Sequence, residues 1–253
     1  MDLRLRQICL IAYELDPVIA ALKQVFSLEV CFVDSAVGKY GLENSLLPIG
    51  NQFLEVVAPT EDGTAGGRYL DRRGGDGGYM VITQCQDLAE RDARIAELEV
   101  PVANKLDYGD FHGLQLHPKY TGGAFFEIDW NAGGEDPDGP WHPAGPDWPA
   151  ARRTDVVHAI TAAELQSPDP DALAKRWSEI AGLDLIAGEF GPEIRLSNAA
   201  VRFVEDRDGR GEGLGGVDLA TNDAARARAQ AAAMGCPVDG DTILACGTRF
   251  RLV

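Results

Sequence analysis

The sequence predicts an α+β protein built from four βαβββ modules in tandem. Two observations carry this prediction, a shared spacing and a shared acidic residue in the first two modules. Between the first and last strands, 48 residues separate Gln7 from Glu55, and 47 separate Met80 from Glu127. Each last strand also holds one glutamate among apolar neighbours, which is costly to bury unless it has a partner or a task. Together these features predict an internal repeat.

The first module is predicted from strand, cap and turn signals. Residues 5–12 form an apolar strand, and Asp16 followed by Pro17 is typical of a helix start. Residues 29–34 are predicted as a strand. Gly50 and Asn51 then favour a turn between two further strands, the second of which carries Glu55.

The second module follows a glycine-rich crossover. Residues 60–78 contain many glycines without the spacing of a phosphate-binding loop, so a flexible connection is expected. Asp87 is predicted to cap a helix whose apolar residues share one face. The predicted strands of this module are 79–84, 100–105, 113–117 and 124–130.

The second half of the chain begins after a proline- and glycine-rich linker. Trp141 and Trp148 indicate that this linker packs on a surface. Asp169 and Asp223 are predicted to cap the helices of the third and fourth modules. The predicted divisions are a first domain at 1–130, the linker at 131–153 and a second, less regular module pair at 154–253.

Composition excludes several classes of partner. The 253 residues carry a net charge of −17, and phosphate binding needs clustered Lys and Arg, so nucleic acid and anionic membrane surfaces are not expected. No apolar run approaches the roughly 20 residues of a membrane span, and the start of the chain lacks the pattern of a signal peptide. Five cysteines without a CxxC pair predict free thiols in the cytoplasm. A small molecule is the expected partner.

The repeat and three segments resemble the vicinal oxygen chelate superfamily, which includes glyoxalase I, bleomycin-resistance proteins, methylmalonyl-CoA epimerase and extradiol dioxygenases. The segments are residues 7–12, 50–59 and 116–127. The first domain looks most like the glyoxalase-like-domain branch. The resemblance implies that the modules pair into two domains, each a mixed sheet curved into a cup.

In the superfamily, metal ligands come from the first and last strands of each module. Position by position, the resemblance implies that Gln7, Glu55, Met80 and Glu127 line the first cup. A thioether does not suit the divalent ions that these enzymes use. The expected cofactor is therefore none, or a divalent metal ion held weakly by Gln7, Glu55 and Glu127. His117 is a further candidate for ligand binding, with a structural hydrogen-bonding role as the alternative.

The second cup departs further from the superfamily. Arg202 and Arg251 take the places of the two glutamates, with His158 and Gly216 at the first-strand positions. Guanidinium groups bind carboxylates or phosphates rather than cations, although pairing with other strand residues is the alternative. Neither half supplies the two histidines and the glutamate of an extradiol dioxygenase, so that activity is not expected.

Two hypotheses for function follow. If Glu55 and Glu127 share a cavity of low dielectric constant, their repulsion raises one pKa toward the range of a general base. The first hypothesis is a glyoxalase-like lyase or isomerase that abstracts a proton from a carbonyl compound, with these two residues as catalytic groups. The alternative is a non-catalytic protein of bleomycin-resistance type that sequesters a small organic molecule. Four modules can form two cups within one chain, so both a monomer and a homodimer fit.

Overall fold

The computed structural model describes residues 3–253, and Met1 and Asp2 of the predicted first domain lie outside the described residues. Two open mixed sheets of seven and eight strands carry helices on their faces. This arrangement confirms the predicted α+β class with paired modules. Within residues 3–253, every helix is too short or too polar to cross a bilayer.

The first sheet is built from the first two modules. Its strands are β1 (Arg4–Ile11), β2 (Leu42–Ile49), β3 (Gln52–Pro59), β4 (Gly77–Gln84), β5 (Val102–Asp107), β6 (Phe111–Leu116) and β7 (Phe125–Asn131). The helices along this half are α1 (Leu15–Phe26), α2 (Ala65–Arg73), α3 (Leu88–Glu97) and α4 (Pro118–Thr121). The strand order is β2-β3-β1-β4-β7-β6-β5, so the first strands of the two modules meet at the centre.

The second sheet repeats this plan. After α5 (Trp148–Ala151), its strands are β8 (Val157–Ser167), β9 (Leu185–Gly188), β10 (Gly191–Arg195), β11 (Ala200–Glu205), β12 (Gly213–Thr221), β13 (Val238–Asp239), β14 (Thr242–Ala245) and β15 (Thr248–Leu252). Its helices are α6 (Pro170–Ala181) and α7 (Ala224–Ala233). The order β13-β14-β15-β12-β8-β11-β10-β9 again places two first strands, β8 and β12, side by side. The domain boundaries at 130 and 153 stay a prediction.

The main hydrophobic core lies between the two sheets and their helices. Aromatic contacts join the halves, with the rings of Phe26 and Phe250 centred 5.0 Å apart and those of Phe126 and Trp177 4.5 Å apart. A second apolar cluster covers the opposite, concave face of the first sheet. Because both faces of the central strands are covered, β1 and β4 are almost continuously buried.

The hairpin turn between β2 and β3 is fitted against β8. Gly50 has φ of +62°, and a Cβ atom on it would lie 2.2 Å from the carbonyl oxygen of His158, so only glycine fits. Beside it, the Gln52 side chain exchanges two hydrogen bonds of 2.8 Å with the backbone of Ile160. This contact holds the strand that carries Glu55 against the second half of the chain.

Most capping signals are confirmed, and three local predictions are wrong. Residues 29–34 form only an isolated bridge, at Phe32, because among the described residues the segment exchanges backbone hydrogen bonds with Leu46 alone before the 3-10 turn at Ser35–Tyr40. Helix α1 begins at Leu15 rather than after Asp16, since a proline fits anywhere in a first turn, where the N–H groups lack partners. The supposedly flexible crossover contains helix α2.

Helix α2 escaped detection because of its glycines, which are poor helix formers. The helix is held at its start by the hydroxyl of Thr64, which accepts a 2.9 Å hydrogen bond from the backbone N–H of Gly67. Tyr69 and Leu70 are buried against the concave face of the sheet. Tertiary packing therefore outweighs the low helix propensity of the segment.

Candidate active site in the first cup

The concave face of the first sheet encloses a cavity of about 340 Å³. Its floor comes from the central strands, and its sides from the 3-10 turn, the start of α2 and the linker. Aromatic side chains form much of the wall, including Tyr79, Phe111 and Phe125. Five of the predicted site residues line this cavity: Gln7, Glu55, Met80, His117 and Glu127.

Glu55 is buried on the cavity floor and surrounded by neutral donors. The side-chain amide of Gln7 donates to Oε2 at 2.8 Å, and that of Asn44 donates to Oε1 at 2.7 Å. Burial raises the pKa of Glu55, and the hydrogen bonds from Asn44, the Cys9 thiol and Gln7 oppose that rise. Each carboxylate oxygen therefore already has a donor that stabilises its charge.

The orientation of both amides is determined by donors on the side opposite Glu55. Trp141 Nε1 donates to Gln7 Oε1 at 2.8 Å, and the backbone N–H of Asp34 donates to Asn44 Oδ1 at 2.8 Å. An indole and a peptide N–H can only donate, and a carboxylate can only accept. Each amide must therefore turn its oxygen outward and its NH₂ group toward Glu55.

Glu127 faces the same cavity from β7 but has fewer donors. Gln115 Nε2 donates to its Oε2 at 2.8 Å, and Gln115 Oε1 in turn accepts a 3.1 Å hydrogen bond from Asn104. Burial, followed by the charge of Glu55, raises the pKa of Glu127 to about 7 against these hydrogen bonds. Near neutral pH, Glu127 can therefore hold or release a proton.

Asp129 lies two residues further along the same face of β7, behind Glu127. It is completely buried, neither oxygen accepts a hydrogen bond, and burial with the adjacent Glu127 raises its pKa well above the usual value. A neutral Asp129 avoids the cost of an isolated buried charge. On β6, a Cβ atom at Gly113 would lie 2.2 Å from Asp129 Oδ1, so this glycine makes room for the carboxyl group.

Met80 and His117 also line the cavity that the two glutamates face. Gln7 is opposite Phe53 and Met80 is opposite Phe125, each two residues before its glutamate, so Met80 occupies the place equivalent to Gln7. His117 uses Nδ1 to accept a 3.0 Å hydrogen bond from the Lys119 backbone N–H at the start of α4. Burial lowers the pKa of His117, which leaves a neutral ring at the cavity wall.

The donor set does not fit a resident metal ion. Gln7 directs its NH₂ group, not its oxygen, toward the cavity, and both oxygens of Glu55 accept amide hydrogens. Met80 offers only a thioether where the superfamily uses nitrogen or oxygen. Residues 3–253 contain no group of three His, Cys, Asp or Glu placed to hold a metal. The predicted weak metal site gains no support from this geometry.

The predicted anion site of the second sheet is occupied by internal ion pairs. Arg202 lies opposite Glu164 and Arg251 opposite Asp218. Arg202 Nε donates to Glu164 Oε2 at 2.8 Å, and Arg202 and Arg251 both donate to the two oxygens of Asp218. These buried carboxylates neutralise the guanidinium groups, which argues against the predicted role in binding external anions.

The register also corrects one equivalence in the second sheet. Ala162 is opposite Ala200, two residues before Arg202, so Ala162 and not His158 takes the place of Gln7. His158 is exposed near the start of β8. The fourth-module position is as predicted, since Gly216 is opposite Arg249, two residues before Arg251.

Several polar residues of the cup are absent from the sequence prediction. They are the amides, thiol, carboxyl and indole that contact the two glutamates or Gln7: Cys9, Asn44, Gln115, Asp129 and Trp141. An amide on an apolar strand, as at Asn44 and Gln115, is a usable signal because buried amides need partners. Trp141 gives no such signal, since the linker has no periodicity from which its position follows.

The chain belongs to the glyoxalase-like domain family, which matches residues 27–181, more than half of its length. This membership confirms the resemblance to the vicinal oxygen chelate superfamily. A solved structure of a hypothetical protein from Staphylococcus aureus is similar over 100% of this chain and 99% of that one. It has a TM-score of 0.68 and 12% sequence identity. This likeness covers both sheets and shows the fold alone.

Two further solved structures match half of the chain. Methylmalonyl-CoA epimerase from Streptomyces coelicolor, in complex with 2-nitronate-propionyl-CoA, is 20% identical, with a TM-score of 0.47 over 52% of this chain and 99% of that one. The epimerase from Mycobacterium tuberculosis is also 20% identical, with a TM-score of 0.45 over 51% and 87%. No curated protein matches the sequence.

Proposed function

We propose that this protein is a lyase or isomerase that moves a proton at a carbon next to a carbonyl group of a small molecule in the first cup. The observation that carries the proposal is the unequal environment of two buried glutamates facing one cavity. Glu55 accepts hydrogen bonds on both oxygens, whereas Glu127 has a pKa of about 7. Two carboxyl groups with different proton affinities are suited to act as a base and an acid.

Glu55 takes the role of the base. Its carboxylate removes a proton from the carbon next to the carbonyl, and Glu127, protonated, gives its proton to the carbonyl oxygen. The product of this step is an enol, with Glu55 neutral and Glu127 charged. Return of a proton to a different atom or face of the enol gives an isomer, and loss of a group from the neighbouring carbon gives a lyase reaction.

The walls of the cavity support a compact organic substrate. A volume of about 340 Å³ lies at the small end of ligand pockets, and aromatic rings from β4, β6 and β7 line it. The same walls suit the second candidate function, sequestration of a small molecule without chemistry. The two functions differ in whether a bound compound exchanges its acidic hydrogen.

Deuterium uptake from solvent tests the proposal with a panel of carbonyl compounds. The protein is incubated in D₂O with a set of small ketones, aldehydes, hydroxyketones and thioesters, and proton NMR follows the carbons next to the carbonyl. We expect exchange of at least one compound, and a loss of at least about 100-fold in its rate in Glu55→Gln. Glu43→Gln changes an exposed carboxylate on the neighbouring strand β2 and serves as the matched control.

Two results would contradict the proposal. Exchange that is unchanged in Glu55→Gln would remove this residue as the base. Compounds that bind to the cup but exchange no faster than in buffer would instead favour sequestration.

A further inference from the structure

Among residues 3–253, Trp141 of the linker alone donates a hydrogen bond to the side-chain oxygen of Gln7, Oε1. The two side chains are 134 residues apart in the chain, and both are almost completely buried. Within residues 3–253, the hydrogen bond to Gln7 is the one that Trp141 Nε1 makes. A rotation of the Gln7 amide would leave this indole N–H unpaired and would face the Gln7 oxygen toward Glu55, which costs free energy at both ends.

We infer that Trp141 is a positioning residue that holds the Gln7 amide nitrogen toward the cavity. In this way it makes Gln7 a hydrogen-bond donor to Glu55 and withholds the oxygen that would bind a metal ion. Gln7, which the superfamily resemblance makes a metal ligand, therefore donates a hydrogen bond to the carboxylate of Glu55 instead. The inference concerns the site of the proposed function, but it does not require that the proposed reaction occurs.

The linker is anchored so that this contact is maintained. Arg6, on β1 next to Gln7, donates to the carbonyl oxygens of Pro137 at 2.7 Å and Gly139 at 3.1 Å. Its guanidinium carbon also lies 5.3 Å from the centre of the Trp141 ring and 5.7 Å from that of Trp148. Hydrogen bonds and cation–π contacts thus hold the linker on both sides of the indole.

Manganese binding tests the inference, with Mn²⁺ alone as the probe and the full-length chain in every case. Trp141→Phe keeps an aromatic ring but removes the N–H, which frees the Gln7 oxygen to turn toward Glu55 and Glu127. We expect calorimetry to show Mn²⁺ affinity at least roughly tenfold higher in Trp141→Phe than in the wild type. Trp148→Phe is the matched control, since this buried tryptophan lies in the same linker and makes no hydrogen bond to Gln7.

The same substitution in a Gln7 variant shows whether the change in Mn²⁺ affinity depends on Gln7. In Gln7→Leu, which replaces the amide with an apolar side chain, Trp141→Phe should no longer change Mn²⁺ affinity. Equal affinity in the wild type and Trp141→Phe, including no binding by either, would overturn the inference. An increase that persists in the Gln7→Leu background, or that Trp148→Phe reproduces, would overturn it as well. None of these measurements depends on turnover, so their failure is separate from failure of the proposed reaction.

Discussion

Glu127→Gln removes a carboxyl group whose burial opposes ionisation, and its effect on stability should depend on pH. The pKa of Glu127 is about 7 in the folded protein, against 4.5 for the ordinary group. Because the folded state binds this proton more tightly than the unfolded chain does, the stabilising contribution is complete below pH 4.5 and is lost as the pH rises to 7. The full shift corresponds to about 3 kcal/mol.

Urea denaturation of wild type and Glu127→Gln at about pH 5.5 and about pH 8 measures this effect. Between these two conditions the wild type should lose about 2 kcal/mol more of its free energy of unfolding than the variant does. The loss follows from ionisation of the buried Glu127 near the charge of Glu55, which the glutamine cannot undergo. Glu43→Gln should follow the wild type, because its carboxylate is exposed. Parallel curves for wild type and Glu127→Gln would refute the assigned pKa.

Three further predictions concern stability. Arg202→Met should cost about 3–5 kcal/mol in urea denaturation, because two buried carboxylates, Glu164 and Asp218, both lose hydrogen bonds from this guanidinium, and a loss below 1 kcal/mol would contradict that pairing. Gly113→Ala should lower the melting temperature, since its Cβ meets Asp129 Oδ1, and the double variant with Asp129→Ala should recover most of the loss if the clash is its cause. Arg6→Met should make the linker more susceptible to proteolysis near residue 138 while the sheets stay folded, and an unchanged cleavage rate would argue against anchoring by this residue.

The ion pairs of the second sheet have an opposite dependence on pH. Burial alone would raise the pKa of Glu164, but the guanidinium groups of Arg202 and Arg249 outweigh it and lower the pKa. This contribution to stability is present above the ordinary carboxyl pKa and is lost as the pH falls. Equivalent positions in the two sheets therefore differ in charge pairing. In the first sheet the glutamates face a cavity and accept hydrogen bonds from neutral amides, whereas in the second sheet carboxylates and guanidinium groups form ion pairs.

Repetition within the chain made the fold predictable. The nearly equal spacing from Gln7 to Glu55 and from Met80 to Glu127 identified the modules, and the strand register bears out the equivalence of Gln7 and Met80. Caps at Asp87 and Asp169 were also predictable, because a side-chain oxygen that accepts from the helix N-terminus acts within one turn of the chain. Signals of this kind are local or periodic.

Other features depend on partners that are distant in the chain. Helix α2 is one of these features, since its glycines disfavour a helix and burial of Tyr69 and Leu70 compensates. The register of β8 could not be predicted from the sequence, because the strand has no regular alternation that distinguishes His158 from Ala162 as the equivalent of Gln7. Pairing of β8 with β11 sets this register and places Ala162 opposite Ala200.

The class of fold and the repeat can be predicted from hydrophobic period, turn residues and two glutamates among apolar neighbours. That these glutamates face the first cup is what the superfamily resemblance implies, since the period of their strands leaves it open. Which donors and acceptors the cup presents to a ligand depends on contacts in the folded chain. The direction of the Gln7 amide depends on an indole N–H from Trp141, and the neutralisation of Arg202 depends on carboxylates of two other strands. Hydrogen bonds and ion pairs between distant residues leave no periodic trace in the chain, and they set the chemistry of the site.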